Sequence, residues 1–334
     1  MMKKENYKIL SNSGGRSFFA KGYFVVNNSN ENSAFSYFGY ISDRIYSFLS
    51  KINLLRRLTR AEITGFYAID NYVFLIVAKK GLYLRKKDSP FKRVFTMPRG
   101  SKPLNICISP SGKLFFGEYF QNMSKLAVNI YSSEDKAQSW HIAYTFLEGS
   151  INHIHGLFFD KYTNRIWVAT GDRDNECIIG YTEDEFKTFT EVFRGGQEYR
   201  TCQLFFYKDF IVFGTDTQYQ QNVIKKFDRK TLEITELQKV QGSVIKGGQV
   251  GDVAFISTTV EPSKVNTDKY AHLWVTKDGL HWEERYKAKK DCWPFIFQFG
   301  TFEFPQYNVE KLDRLYFSGR ALKGLDGKTT YIDL

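Results

Sequence analysis

The chain is short of cysteine and proline and has no long apolar run. Its 334 residues hold four cysteines, Cys107, Cys177, Cys202 and Cys292, far apart and with no C-x-x-C pair. That spacing excludes a disulfide scaffold or a zinc ribbon, and reduced thiols in a cytoplasmic protein are expected. With 7 prolines and no Pro/Ser/Gly-rich linker, nothing divides the chain, so one domain over residues 1–334 is expected. No stretch approaches the ~18 apolar residues of a membrane span. The opening "MMKKENYKILSNSGGRSFF" is basic but lacks the apolar core of a secretory signal. A P-loop and a nucleophile elbow are absent too.

Aromatic residues are abundant at 17% (31 Phe, 21 Tyr, 5 Trp), within an apolar share of 43%. That supplies a large core and favours strands. The formal net charge is +11, and basic surfaces attract polyanions. The basic clusters "LRRLTR" (55–60) and "YKAKKD" (286–291) are short, and no nucleic-acid motif accompanies them. An acidic oligo- or polysaccharide is the expected partner, and no nucleic acid.

A repeated pattern sets the fold. Seven segments carry a short apolar strand after a turn-like polar pair, among them "DNYVFLIV" (70–77), "TNRIWVATG" (163–171), "KDFIVFGTD" (208–216) and "GDVAFISTT" (251–259). Most are preceded by another apolar strand, such as "RSFFA", "HGLFF" or "CQLFF", and followed by two more. Strand–turn–strand–loop–strand–turn–strand at this period is the blade of a β-propeller. The expectation is an all-β fold, a single propeller of seven blades with six as the alternative, and a strand near "YKIL" closing the ring. One stretch departs from it. "SDRIYSFLSKINLLRRL" (42–58) places Ile45, Phe48, Leu49, Ile52 and Leu55 at helical spacing. A helical insertion is expected there, packed on the propeller or giving peripheral membrane contact through residues 51–60 by its basic edge (Lys51, Arg56, Arg57, Arg60).

The hairpin "TKDGLHW" (276–282) approaches the Asp-box pattern S/T-x-D-x-G-x-x-W, with Asp278, Gly279 and Trp282 in place and one residue missing between Asp and Gly. "SSEDKAQSW" (132–140) keeps Ser, acid and Trp, and "TEDEFKTF" (182–189) has Phe for Trp. In such turns the carboxylate folds back onto turn amides while the aromatic packs beneath. The chain thus resembles the Asp-box (BNR-type) propellers of the sialidase-like superfamily and, more loosely, propellers found with bacterial surface-polysaccharide genes. The resemblance implies a carbohydrate-active protein, although fold kinship alone does not fix activity. A true sialidase is not expected. Its F/Y-R-I-P motif is absent, Arg16 in "GGRSFF" being the nearest substitute, and no spacing singles out Arg200, Arg320, Glu261 or Tyr199 for the remaining roles.

The candidate site starts from "NHIHGLFF", where His153 and His155 share one face of a strand expected to border the central channel. Other first strands would bring Arg16, Tyr199, Arg200, Gln203, Lys246 and Gln298. Asp172, Asp216 and Glu261 follow the second strands at corresponding places and would face the same rim, unless they only form turns. Histidine suits a general base near neutral pH, and arginine clamps a carboxylate. Several propeller polysaccharide lyases use a His/Tyr/Arg set. That resemblance implies β-elimination on a uronate glycan, with His153 or His155 as base, Tyr199 as acid and Arg200 as neutraliser. Adjacent residues of a regular strand face opposite sides, so Tyr199 and Arg200 need a bulge to converge. No cofactor is required by this chemistry. The H-x-H spacing also suits Mn or Zn on His153 and His155; oligogalacturonate-lyase propellers hold manganese with Q-x-x-H-x-H, where this chain has Ser150 for Gln. A third possibility is that both imidazoles merely bond backbone. Lyase or glycosidase action on an acidic glycan therefore competes with a non-catalytic glycan- or protein-binding scaffold.

Overall fold

A computed structural model describes residues 5–29, 33–87 and 89–334; residues 1–4, 30–32 and 88 lie outside it. Its strands form seven antiparallel sheets, the blades of a seven-bladed β-propeller. Blade 1 spans residues 8–40, blade 2 65–96, blade 3 107–146, blade 4 153–194, blade 5 201–239, blade 6 244–289 and blade 7 301–333. Blades 1 to 6 each run from an innermost first strand to an outer fourth. The continuous apolar runs of the sequence are the second strands: Val73–Ala78 and Leu114–Gly117 are buried at every position. A second strand packs on a neighbouring blade through both faces, so it has no polar side. Outer strands such as Glu283–Lys289 are mostly exposed to solvent. The aromatics fill the seams between blades, as where Phe18 of blade 1 stacks on Phe66 of blade 2 at 4.6 Å.

Blade 1 is displaced by one strand from the sequence reading. Its innermost strand is Lys8–Asn12, within the expected "YKIL" closure, and "RSFFA" contributes the second strand, Ser17–Lys21. The ring is closed one step earlier. Blade 7 has three strands of its own, and Glu5 adds to the outer one through backbone bonds with Thr329 of 2.9 and 3.0 Å. A short parallel pairing of Gln306–Tyr307 with Lys8–Asn12 also ties the chain ends.

The insertion between blades 1 and 2 is two short helices, α1 (Arg44–Leu49) and α2 (Asn53–Thr59), and these are the α-helices among the described residues. Asp43 caps α1 by accepting the Tyr46 amide at 3.0 Å. Tyr46 and Leu49 turn inward onto the core of blades 1 and 2, whereas Ile45 and Phe48 are exposed. The expected basic edge is not one surface. Arg56 and Arg57 are buried, Arg56 pairing with Asp326 at 2.6 Å, and Arg57 with Asp291 and, at 2.9 Å, the Phe297 carbonyl. These arginines bind the insertion to blade 7 and to the segment that leads into it, which is why they do not face outward. No helix of the described residues is long and apolar enough to cross a membrane.

The aspartate turns close the third and fourth strands of blades 3, 4 and 6. Asp278 accepts the Leu280 and His281 amides at 2.8 Å, and Asp135 accepts those of Gln138 and Ser139 at 2.9 Å. Asp184 repeats the arrangement with Thr188. Against the cost of its partial burial, hydrogen bonds from Ser139, Ser133 and the turn amides hold the Asp135 carboxyl down at about 2. Asp135→Ala should therefore destabilise by about 1–2 kcal/mol, read by urea unfolding at neutral pH. The stabilisation is present above the ordinary aspartate range and is lost as pH falls towards 2, so the two proteins should converge in acid.

Candidate functional site

In every blade the first strand starts, and the second strand ends, at the same end of the channel. The aspartate turns lie at the other end. At the first of these two ends a cavity of about 510 Å³ opens, lined by residues from the segment that follows the helical insertion, the link between blades 2 and 3, and blades 3 to 7. From the starts of first strands come His153, Arg200, Lys246 and Gln298; from the ends of second strands come Asp172, Asp216 and Glu261. All seven were expected at this rim, and the cavity gathers them. It also gathers Tyr119, Glu62, Lys102 and Arg320, which the site reading left out.

Four expected residues stand elsewhere. Arg16 precedes the second strand of blade 1, because that blade is shifted by one strand; it lies at the opposite end and stacks over Phe18 at 4.8 Å. Tyr199 sits in a 3-10 turn (Gln197–Tyr199) that precedes the first strand of blade 5 and stacks on Phe193 at 5.1 Å, outside the cavity that Arg200 lines. It cannot serve as the acid. Gln203 donates to the Ile245 carbonyl at 3.0 Å and lines a second cavity, at the far end of the channel. His155 lies behind His153 and is only 2% exposed. Of the two phenols that line the cavity, Tyr119 and Tyr219, it is Tyr119 that lies beside the histidines, its ring 4.3 Å from that of His153. Burial, then Cys202, Asp216 and Asp172, raise its pKa far above the usual tyrosine range. Tyr119 follows the second strand of blade 3, as Asp172 follows that of blade 4. The same repeat register would have found it.

One wall is a hydrogen-bonded cluster. His153 Nδ1 and His155 Nδ1 lie 2.9 Å from the carbonyls of Phe120 and Thr201. The two Nε2 atoms are 3.1 Å apart, and Asp172 Oδ1 is 3.4 and 3.3 Å from them. Arg200 pairs with Asp172 at 2.9 Å and with Asp216 at 3.7 Å. Burial opposes ionisation of Asp172, but its close contacts with the two imidazoles outweigh it and hold the carboxyl well below its ordinary value. Glu261 shows the opposite. Burial, then the Asp216 charge, push its carboxyl up to about 7, and Gln218 donates to it at 2.9 Å.

The facing wall is an ion cluster. Glu62 and Glu303 are buried around Arg320, which is 3.2 Å from Glu62 and pairs directly with Glu303. Lys8 reaches Glu303 at 2.7 Å, and Gln298 donates to Glu62 at 3.2 Å. Burial would raise the Glu62 carboxyl, but Arg320, Lys8 and Arg56 together hold it well below its ordinary value. Lys102 and Lys246 differ, making no ion pair or side-chain hydrogen bond among the described residues. Burial and the neighbouring Arg320 lower both lysine pKa values. The site can thus offer two lysine amines without a direct ion pair, a carboxyl that titrates at about 7 and a set of imidazole and carboxylate lone pairs that could take a metal ion.

No family model matches the chain, and no curated protein does. Solved propellers match it in shape. The WD40 propeller of Doa1 matches with a TM-score of 0.58 at 7% identity, over 99% of this chain and 94% of that one. The GH74 xyloglucanase of Xanthomonas campestris matches with a TM-score of 0.53 at 12% identity, over 86% of this chain. The Niastella koreensis GH74 enzyme gives 0.53 at 12% identity over 83%. This chain spans 47% and 45% of those two enzymes. At such identities the likeness is one of fold, that of a seven-bladed β-propeller.

Proposed function

We propose that the hub cavity binds an acidic, uronate-type glycan and cleaves it. The observation that carries this reading is the meeting, in one cavity, of Lys102 and Lys246, which make no direct ion pair among the described residues, with the Glu261 carboxyl held at about 7. An anionic sugar gives the lysines a direct counter-charge beyond the more distant Glu62 and Glu303. Neutralising a uronate carboxylate also acidifies the adjacent C–H, so the same cations serve binding and elimination. Glu261, partly protonated near pH 7, can pass a proton to the leaving oxygen in either elimination or hydrolysis, and in elimination the cavity-lining imidazole of His153 is the base that takes the C–H proton. Arg200, held by Asp172 and Asp216, positions that wall. Likeness to GH74 propellers supports a glycan substrate, and the aspartate turns support kinship with sialidase-like propellers. Free thiols on all four cysteines suit a cytoplasmic protein acting on an imported or lipid-linked oligosaccharide.

The test is incubation with polygalacturonate, alginate and glucuronate-containing oligosaccharides. Products that absorb in the near ultraviolet identify elimination, and new reducing ends without that absorbance identify hydrolysis. Lys102→Ala and Lys246→Ala should each raise KM more than they lower kcat. The full-length match to a WD40 propeller supports a second reading, a non-catalytic scaffold for glycan or protein. Tight glycan binding without turnover across the panel would replace the enzyme by that scaffold.

A further inference from the structure

The histidine cluster holds more lone pairs than its own protons bridge. A carbonyl oxygen only accepts, so the contacts to Phe120 and Thr201 place a hydrogen on Nδ1 of both His153 and His155. In the neutral imidazoles each Nε2 then presents a lone pair. These two point at one another across 3.1 Å, with Asp172 Oδ1 at 3.4 and 3.3 Å completing a triangle. Three facing lone pairs repel unless a positive centre lies among them. A proton on one Nε2 satisfies one partner well and leaves the third short.

We propose that this triangle is one face of a divalent transition-metal site, with His153, His155 and Asp172 as ligands. Metal–nitrogen and metal–oxygen bonds of about 2.0–2.1 Å in a tetrahedron set its edges at about 3.3–3.4 Å. The edges here are 3.1, 3.3 and 3.4 Å. The Nδ1–H to carbonyl bonds are the outer contacts that fix a ligating imidazole in its tautomer. Asn152 donates to Asp172 Oδ2 at 2.9 Å and steadies the carboxylate. Charge also fits: Asp172 and Asp216 against Arg200 leave one net negative charge, to which a dication adds favourably. Arg200 shares Oδ1 of Asp172, a competing cation that limits affinity. Imidazole-rich ligands favour zinc, cobalt or nickel over magnesium or calcium. His153 and Asp172 line the cavity, so the ion is reached from it and keeps an exchangeable fourth position there.

The inference does not rest on glycan cleavage, because metal retention is read without substrate. Purified full-length protein, stripped with chelator and titrated with zinc alone, should bind one ion per chain with a dissociation constant in the micromolar range or tighter. Cobalt should give the visible absorption of a four-coordinate ion. His153→Gln and Asp172→Asn should each weaken zinc binding by about 10²-fold or more. Asp172 is the more accessible ligand, its side chain 32% exposed, so its variant reports even where a histidine variant fails to fold. Wild-type protein that retains no zinc overturns the proposal, and so does zinc bound equally by wild type and by Asp172→Asn.

Discussion

Glu261→Gln should lower turnover of an acidic oligosaccharide by about 10²–10⁴-fold, or about 3–5 kcal/mol of transition-state stabilisation, with KM changed only a few-fold. The amide keeps the shape and the Gln218 contact but carries no transferable proton. Burial and the Asp216 charge place the wild-type carboxyl at about 7, with Asp172 adding to them and Arg200 opposing. The pH profile of kcat should therefore bend near 7, and the bend should vanish in the variant. Stability follows the same group. Its folded pKa lies above the unfolded value of 4.5, so the folded chain holds a proton that the unfolded chain releases. That contribution is full below 4.5 and lost as pH rises through about 7, with an upper size of about 3 kcal/mol. Unfolding of wild type and variant at pH 5 and pH 8, after chelator treatment, reads it. Full turnover in Glu261→Gln would remove this residue from the mechanism.

Arg320→Met should destabilise the propeller by about 3–5 kcal/mol at neutral pH, because it leaves Glu62 and Glu303 buried with their chief cation gone. For a chain of this length that lowers Tm by roughly 5 °C. The pH dependence fixes the cause. Glu62 is held below its ordinary value in the folded state, so its stabilising share is present above the unfolded pKa and lost in acid. The variant lacks that share and relieves its strain by protonating the carboxyls. The gap between the two proteins should be widest near pH 7 and close below about pH 4. A gap that stayed constant with pH would assign the loss to packing alone.

The two walls of the cavity differ in how far the sequence disclosed them. His153, Arg200, Asp172 and Asp216 were legible because each occupies the same place in its repeat, just before a first strand or just after a second. Tyr119 obeys that rule too and went unread for want of applying it to blade 3. Glu62 and Arg56 come from the helical insertion and Lys8 from the displaced first blade, where no repeat register exists to align them. Arg16 failed for the same reason in reverse: one extra strand at the start moved it to the far end of the channel.

By itself the sequence determined the blades, since strands buried on both faces must read as short apolar runs between turns, and that pattern survives without knowledge of neighbours. Tertiary structure alone decided which charges meet. Closing the ring brings Glu62, beside the helical insertion, and Lys8, near the start of the chain, against Glu303 and Arg320 of blade 7, and that meeting of Lys8 with Glu303 is set only by where the first and last blades join. Local pattern carries no such information, because electrostatic partners are set by where the backbone ends up, not by how it is spaced.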